Sequence, residues 1–512
     1  MKRMVMVAVL VFAVCFVPAA LSAAVDVFEQ AGGVVVTNEV DVPVLAALRK
    51  NGIEPAPVCS DAVFLRRVFV DVIGTLPTAA EAQSFLAAHG PDKRRRLIDQ
   101  LLEREEFADY WALKWCDLLR VKSEFPINLW PNAVQTYHRW VRDSLAENKP
   151  YDQFARQLLT ASGSNFRAPP ANFFRAVRDR EPATIAQAVA LTFMGARTER
   201  WSPERLAGMA AFFQDIKYKK SNEWKEEIVY VDLLGGTARD AVLPDGTRVA
   251  LKPGTDARSV FADWLTRPDN PWLARNIVNR IWYWLVGVGI VQEPDDFRPD
   301  NPPANSALLA LLERELVAHR YDLKHIYRLI LNSATYQRSA IPTTERPEAE
   351  RYFAHYPLRR LDAEVLIDAI NQITGATESY VSLIPEPWTY IPKETRSIEL
   401  ADASITSSFL ELFGRPARDS GLESERNNSP SAAQRLHLLN SSHIRRKLAD
   451  SDKLRALARS QNAVDELYLL ILSRYPTDDE RKIVSGYKPA TRNLTAELAW
   501  ALINTAEFQY RH

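Results

Sequence analysis

The polar stretch from Asp419 to Ser431 holds the densest set of residues able to do chemistry. Glu423 and Glu425 stand two apart, and Arg426 follows directly. Two carboxylates beside a guanidinium can exchange protons, hold a cation or grip a hydroxylated ligand. Function often sits on loops carried by a rigid helical scaffold. Glu423, Glu425 and Arg426 are therefore the candidate catalytic residues. The competing reading is a solvated loop whose local ion pairs contribute little.

A second group is Arg66, Arg67 and Asp71. Arg67 and Asp71 are four apart, the spacing of an ion pair on one helix face. Anion binding is the functional reading, which makes all three candidate binding residues. Trp282 is the fourth, from a run that also includes Trp264, Trp272 and Trp284. Exposed indoles stack on the apolar faces of sugar rings. Their helical spacing among Leu and Ile favours a core instead. Glu293, Asp295 and Asp296 supply hard oxygens but lack EF-hand spacing.

No metal site and no cofactor is expected. The eight histidines form no His-x-x-x-His or Glu-x-x-His pattern. His319 and His325, six apart, fall on different faces of a continuous helix. There is no Gly-x-Ser-x-Gly elbow, Walker loop or dinucleotide fingerprint.

The elements that must position these residues are mostly helices. Thr78 and Glu81 fit a capping box. Leu97, Ile98, Leu101 and Leu102 recur at helical spacing, as do Tyr110, Trp111, Trp115 and Leu118. Further helices fit 132–147, 151–161, 183–195, 203–215, 272–286, 304–319, 323–334 and 362–373. Residues 375–403 are Pro-rich and irregular. Helices return at 430–448, 463–473, 478–487 and 495–508. Between the two helical stretches, Ile228–Val231 reads as a strand, and Asp245-Gly246 turns a hairpin. Ser162-Gly163-Ser164 reads as a flexible loop.

The expected fold is mainly α, a multi-helix architecture in two helical regions with a small β insert between them. The expected organisation is a signal peptide at 1–24, an N-terminal extension at 25–59, helical domains at 60–225 and 256–512, and the insert at 226–255. Two short echoes recur. Pro77-Thr78-Ala79-Ala80-Glu81 is repeated as Pro476-Thr477-Asp478-Asp479-Glu480. Leu331-Asn332-Ser333-Ala334-Thr335-Tyr336-Gln337 is repeated as Ile503-Asn504-Thr505-Ala506-Glu507-Phe508-Gln509. Each echo reads either as a repeated helical hairpin or as reused capping chemistry.

The chain of 512 residues is 47% hydrophobic, with 64 basic and 64 acidic side chains. That composition can bury a core and excludes wholesale disorder. The charge balance gives no reason to expect a nucleic-acid partner. Lys2 and Arg3 precede an apolar run from Met4 to Phe16, and small residues end at Ala23-Ala24. That pattern is a secretory signal, short for a bilayer span. The expected product is exported, periplasmic or cell-surface, with no transmembrane segment after signal cleavage. Cleavage removes Cys15 and leaves Cys59 and Cys116, whose pairing stays open.

The run from Phe64 to Thr78, FLRRVFVDVIGTLPT, resembles the opening of a planctomycete cytochrome-associated family with a PSCyt-type N-terminal domain. Phe261-Ala262-Asp263-Trp264-Leu265, Asn279-Arg280-Ile281-Trp282, Tyr321-Asp322-Leu323-Lys324-His325 and Phe413-Gly414-Arg415-Pro416 resemble its PSD-type C-terminal domain. The resemblance spans roughly residues 60–512. It implies an exported bacterial protein whose gene neighbours often encode sulfatase-like secreted proteins. Many relatives carry Cys-x-x-Cys-His between a Phe-x-Gly-x-Arg element and a downstream Trp. Here Phe193-Met194-Gly195-Ala196-Arg197 is separated from Trp201 only by Thr198-Glu199-Arg200. Covalent haem needs two thiols and an axial His, so the resemblance points to a haem-free member. The expected function is a binding or assembly component linked to extracellular polysaccharide processing. Its expected partner is a secreted sulfatase-like protein or the polysaccharide itself. The alternative is a glycan-acting enzyme using the loop near 423–426.

Overall fold

A helix buried on every side organises this fold. Helix α2 (Asp61–Ile73) follows α1 (Asp41–Lys50), and every residue from Val63 to Ile73 is buried. Ser60 starts α2 by accepting from the Val63 N–H. Gly74 ends it with φ of 62°. A Cβ at Gly74 would also overlap the Tyr110 ring, so glycine is required there twice over. The computed structural model describes residues 27–30, 35–489 and 493–512. The expected signal peptide lies outside the described residues.

Helix α3 (Ala79–Ala87) has the capping box read from Thr78 and Glu81, and the echo at Thr477 and Glu480 forms the same box. Shared capping chemistry accounts for that echo. Helix α4 (Glu105–Leu118) packs on α2 and on α5 (Pro131–Ala146). From the C-terminal stretch come α6 (Pro271–Val286), α7 (Ser306–Ala318), α8 (Leu323–Leu331) and α9 (Ala363–Thr374). The Trp111 ring of α4 lies, tilted, with its centre 4.5 Å from that of Tyr327 on α8 and 5.4 Å from that of Trp284 on α6. The two helical regions therefore share one continuous hydrophobic core.

The second echo folds as one helix-end motif used twice. Ser333 Oγ accepts from Tyr336 N, and Thr505 Oγ1 accepts from Phe508 N. Gln337 donates to Leu331 O, and Gln509 donates to Ile503 O. The two motifs clamp α2 through its arginines. Arg67 donates to the carbonyls of Tyr336 and Arg338, and Arg66 to that of Phe508.

Strands are few and antiparallel. β1 (Gly163–Ser164), β2 (Ile216–Lys220) and β3 (Glu227–Val231) form one sheet in the order β1-β3-β2. β4 (Arg239–Val242) and β5 (Arg248–Leu251) form the expected hairpin. β6 (Arg359–Arg360) pairs with β7 (Tyr510–Arg511). The β region thus begins at Ile216 rather than 226. In β2 Ile216 is buried and Tyr218 half-buried while the three lysines face outward, so the alternation in Ile-Lys-Tyr-Lys-Lys covers only two apolar residues. Gly163 and Ser164, read as a flexible loop, instead pair with Val229 and Ile228.

Cys59 and Cys116 are buried and unpaired, and burial pushes the Cys116 thiol up to about 12. Among the described residues, no helix is long and apolar enough to cross a membrane.

Candidate functional site

The three loop residues separate in space and in role. Glu425 turns back on its own loop. Its carboxylate accepts from Asp419 N at 2.8 Å and from Ser420 N and Oγ at 3.2 and 2.8 Å. These bonds brace the loop and keep Glu425 apart from Glu423 and Arg426, with which the sequence grouped it. Arg426 is buried in an ion network. Its guanidinium donates to Asp117 at 2.7 Å and to Glu364 at 2.7 Å. Asp117 also receives Arg418 at 2.8 Å. Burial opposes the charge on Asp117, but Arg426 and Arg418 outweigh it and hold the carboxyl below its usual range.

Glu423 faces a polar cleft of about 400 Å³ with Lys114, Tyr283, Trp284, Arg359 and Asp362. It accepts from Trp284 Nε1 at 2.9 Å and from Arg280 at 3.4 Å, and its own N–H donates to Asp295 at 3.0 Å. Burial pushes its carboxyl above the usual range, against the pull of Arg280 and Lys114. Asp362 in the same cleft goes the other way. Burial would raise it, yet Lys114, Arg511 and Arg426 hold it well below the usual range. One carboxyl biased towards its neutral form thus shares a cleft with one held ionised, a pattern suited to acid–base work.

The N-terminal candidates join this network from behind. Arg67 and Asp71 are not partners. Arg67 donates to main-chain oxygens of Tyr336, Arg338 and His512, while Asp71 accepts from Tyr336, Tyr356 and Arg511. Arg66 donates to the carbonyls of Ile471 and Phe508. All three are buried, which corrects their reading as an accessible anion site. Arg511 bridges Asp71 at 3.0 Å and Asp362 at 2.9 Å. Trp282 is fully buried against Phe353, and Trp264 and Trp284 are buried as well. That stripe is core, so Trp282 is not a sugar-stacking surface.

The acids at 293–296 do not converge into a calcium cage. Arg197 takes Asp295 at 2.5 Å, and Arg298 takes Asp296 at 2.9 Å. The histidine reading also changes. His319 and His325 do not lie on one continuous helix, and their rings stack 3.6 Å apart.

The structure assembles a different aromatic group, which the sequence reading missed. Trp130, Trp224 and Trp388 come from three distant loops and meet at the surface. Trp130 and Trp224 are 4.8 Å apart and nearly perpendicular, and Trp388 lies 5.6 Å from Trp224. Trp224 is 58% exposed and Trp388 44%. Lys225 Nζ sits 4.5 Å over the Trp130 ring. Phe125 and Tyr390, on two of the same loops, are more exposed still.

These loops are held from below. Asp402 accepts from Ser123 N at 3.0 Å, tying the first loop to the 375–405 segment. Glu226 accepts from Ser164 and Ser221, fixing the β2–β3 turn that presents Trp224. The only signal in the sequence is that each Trp sits beside turn residues rather than in an apolar period. Indole faces presented this way offer flat apolar surface with a polar edge.

Residues 39–216 match PSCyt2, a protein of unknown function (DUF1549), and residues 257–487 match PSD1, a protein of unknown function (DUF1553). The chain belongs to the two-domain PSCyt–PSD family. Its PSCyt-type part takes in α1 and supplies Trp130 and Asp117. Its PSD-type part supplies Trp388, Glu423 and Arg426. Trp224 falls between the two matches, in the β insert of this family member. No curated protein and no solved structure matches the chain.

Proposed function

We propose that this protein is an exported, haem-free glycan-binding component of extracellular polysaccharide processing that works beside a secreted sulfatase-like partner. The observation that carries the reading is the surface cluster of Trp130, Trp224 and Trp388. A Trp can bury roughly 150–250 Å². At about 25 cal/mol per Å², two half-exposed indoles leave on the order of a few kcal/mol unrealised until a ligand covers them. Exposed apolar patches of this kind mark interaction sites. Sugar rings suit an indole cluster because their C–H faces are apolar and their hydroxyls stay at the wet rim.

Export is supported by the charged and apolar segments before Val25. The haem-free reading is supported by the lack of any Cys-x-x-Cys-His in the chain. Family membership supports the partner. The test is native affinity electrophoresis of the chain from Val25 through gels carrying neutral, sulfated or uronate polysaccharides. At least one polysaccharide retards the wild type, and the Trp224→Ala/Trp388→Ala variant runs free. A wild type that no polysaccharide retards overturns the reading.

A second reading, a glycan-acting enzyme, is favoured by the opposed shifts of Glu423 and Asp362 in one cleft. It requires release of reducing ends that Glu423→Gln abolishes. Absence of release by the wild type on every retained polysaccharide removes it.

A further inference from the structure

Helix α7 stops at Ala318, and the chain reverses within four residues. Arg320 and Tyr321 both take positive φ, 55° and 61°. Asp322 then caps α8, its Oδ1 accepting from His325 N at 2.9 Å. This reversal folds His325 of α8 back over the last turn of α7. It meets His319, which follows that turn, and Glu315 within it.

We propose that Glu315, His319 and His325 form a binding site for a zinc-class divalent ion. Glu315 Oε2 lies 3.0 Å from His325 Nε2 and 3.5 Å from His319 Nδ1. Their ligand atoms all fall within 4.8 Å of one another, the one such convergence among the described residues. Two imidazole nitrogens and a carboxylate oxygen suit zinc and its first-row neighbours rather than calcium or magnesium. Three protein ligands leave a fourth position for water.

His319 is half-exposed, so its ring can turn to present a nitrogen. Its Nδ1 lies 2.9 Å from the main-chain oxygen of Glu315. A neutral imidazole that ligates through Nδ1 keeps its one proton on Nε2. Nothing in this site depends on the glycan reading.

The molecule also contains a natural control. His437, His443 and Glu378 form a second His–His–carboxylate chain, with His443 Nε2 3.0 Å from Glu378. There Lys447 Nζ sits 3.1 Å from the same carboxylate and supplies the positive charge. The first cluster has no such lysine among its ion pairs.

The test is competition for Zn²⁺ between the full mature chain and a chromogenic chelator, with Co²⁺ absorption as a second readout. The wild type takes one equivalent and gives the intense visible bands of low-coordinate Co²⁺. His319→Ala and His325→Ala each weaken binding by about tenfold or more and lose those bands. His443→Ala binds like the wild type. The thermal midpoint of each apo variant separates lost ligation from lost folding. Binding that is unchanged in His319→Ala/His325→Ala, or a wild type that takes no zinc, overturns the proposal.

Discussion

Arg511 shows how a single residue ties distant parts of this chain together. It lies between Asp71 and Asp362, buried, and Tyr110, Lys114 and Asn428 also donate to Asp362. Removing one partner from such a network leaves charges buried without compensation, which costs about 3–5 kcal/mol. Arg511→Met therefore lowers stability by that amount in urea unfolding, and a loss under about 1 kcal/mol contradicts the assignment. Asp362 adds a pH dependence. Its folded pKa lies well below its unfolded value, so its stabilisation is present above the unfolded value and is lost as pH falls through the folded one. Unfolding measured from neutral pH into acid shows the gap between wild type and Asp362→Asn closing as pH drops. A gap independent of pH contradicts this. The sequence made Arg66, Arg67 and Asp71 visible as charges on an apolar helix, but it could not show their partners. Those partners lie hundreds of residues away, and the i,i+4 spacing suggested the wrong pair.

At the scale of elements, the most legible features were those written within one turn of chain. Thr78 with Glu81 and Thr477 with Glu480 form the boxes their spacing implies. The Asn-Ser/Thr echo folds as two copies of one helix end, each donating its Asn side chain to the carbonyl four residues back. β2 was hard to read because its alternation, Ile216 and Tyr218 against lysines, spans only two apolar residues on an edge strand. The position of the 419–431 loop was also hidden, because it depends on a contact across the loop. Gly414, at φ of 91°, packs against the Asn427 carbonyl so closely that a Cβ would overlap it. Gly414→Ala must strain the backbone and push the loop outward. Its expected cost is about 1–3 kcal/mol, with enhanced proteolysis confined to residues 414–431. An alanine variant that matches the wild type in both respects contradicts this account of the loop.

At the scale of the whole molecule, the mainly α architecture was readable from helical periodicity, and the shared core was not. Trp111 and Trp115 of α4 meet Trp284 of α6, so the two family units are packed as one body around α2. The same packing assembles the indole surface. Trp130 comes from the PSCyt-type part, Trp224 from the insert and Trp388 from the PSD-type part, so no local spacing could reveal them. The aromatic run that spacing did reveal, around Trp282, went into the core for the reason its periodicity gave. Glycan binding at the indole surface is the central claim. Its most direct test is calorimetric titration of oligosaccharides from a retained polysaccharide into wild type, Trp224→Ala and Trp388→Ala. Losing one stacked indole removes on the order of 1.4 kcal/mol, a tenfold weaker affinity. The account predicts that loss in both variants with thermal midpoints near the wild-type value. Equal affinity in wild type and both variants would contradict it.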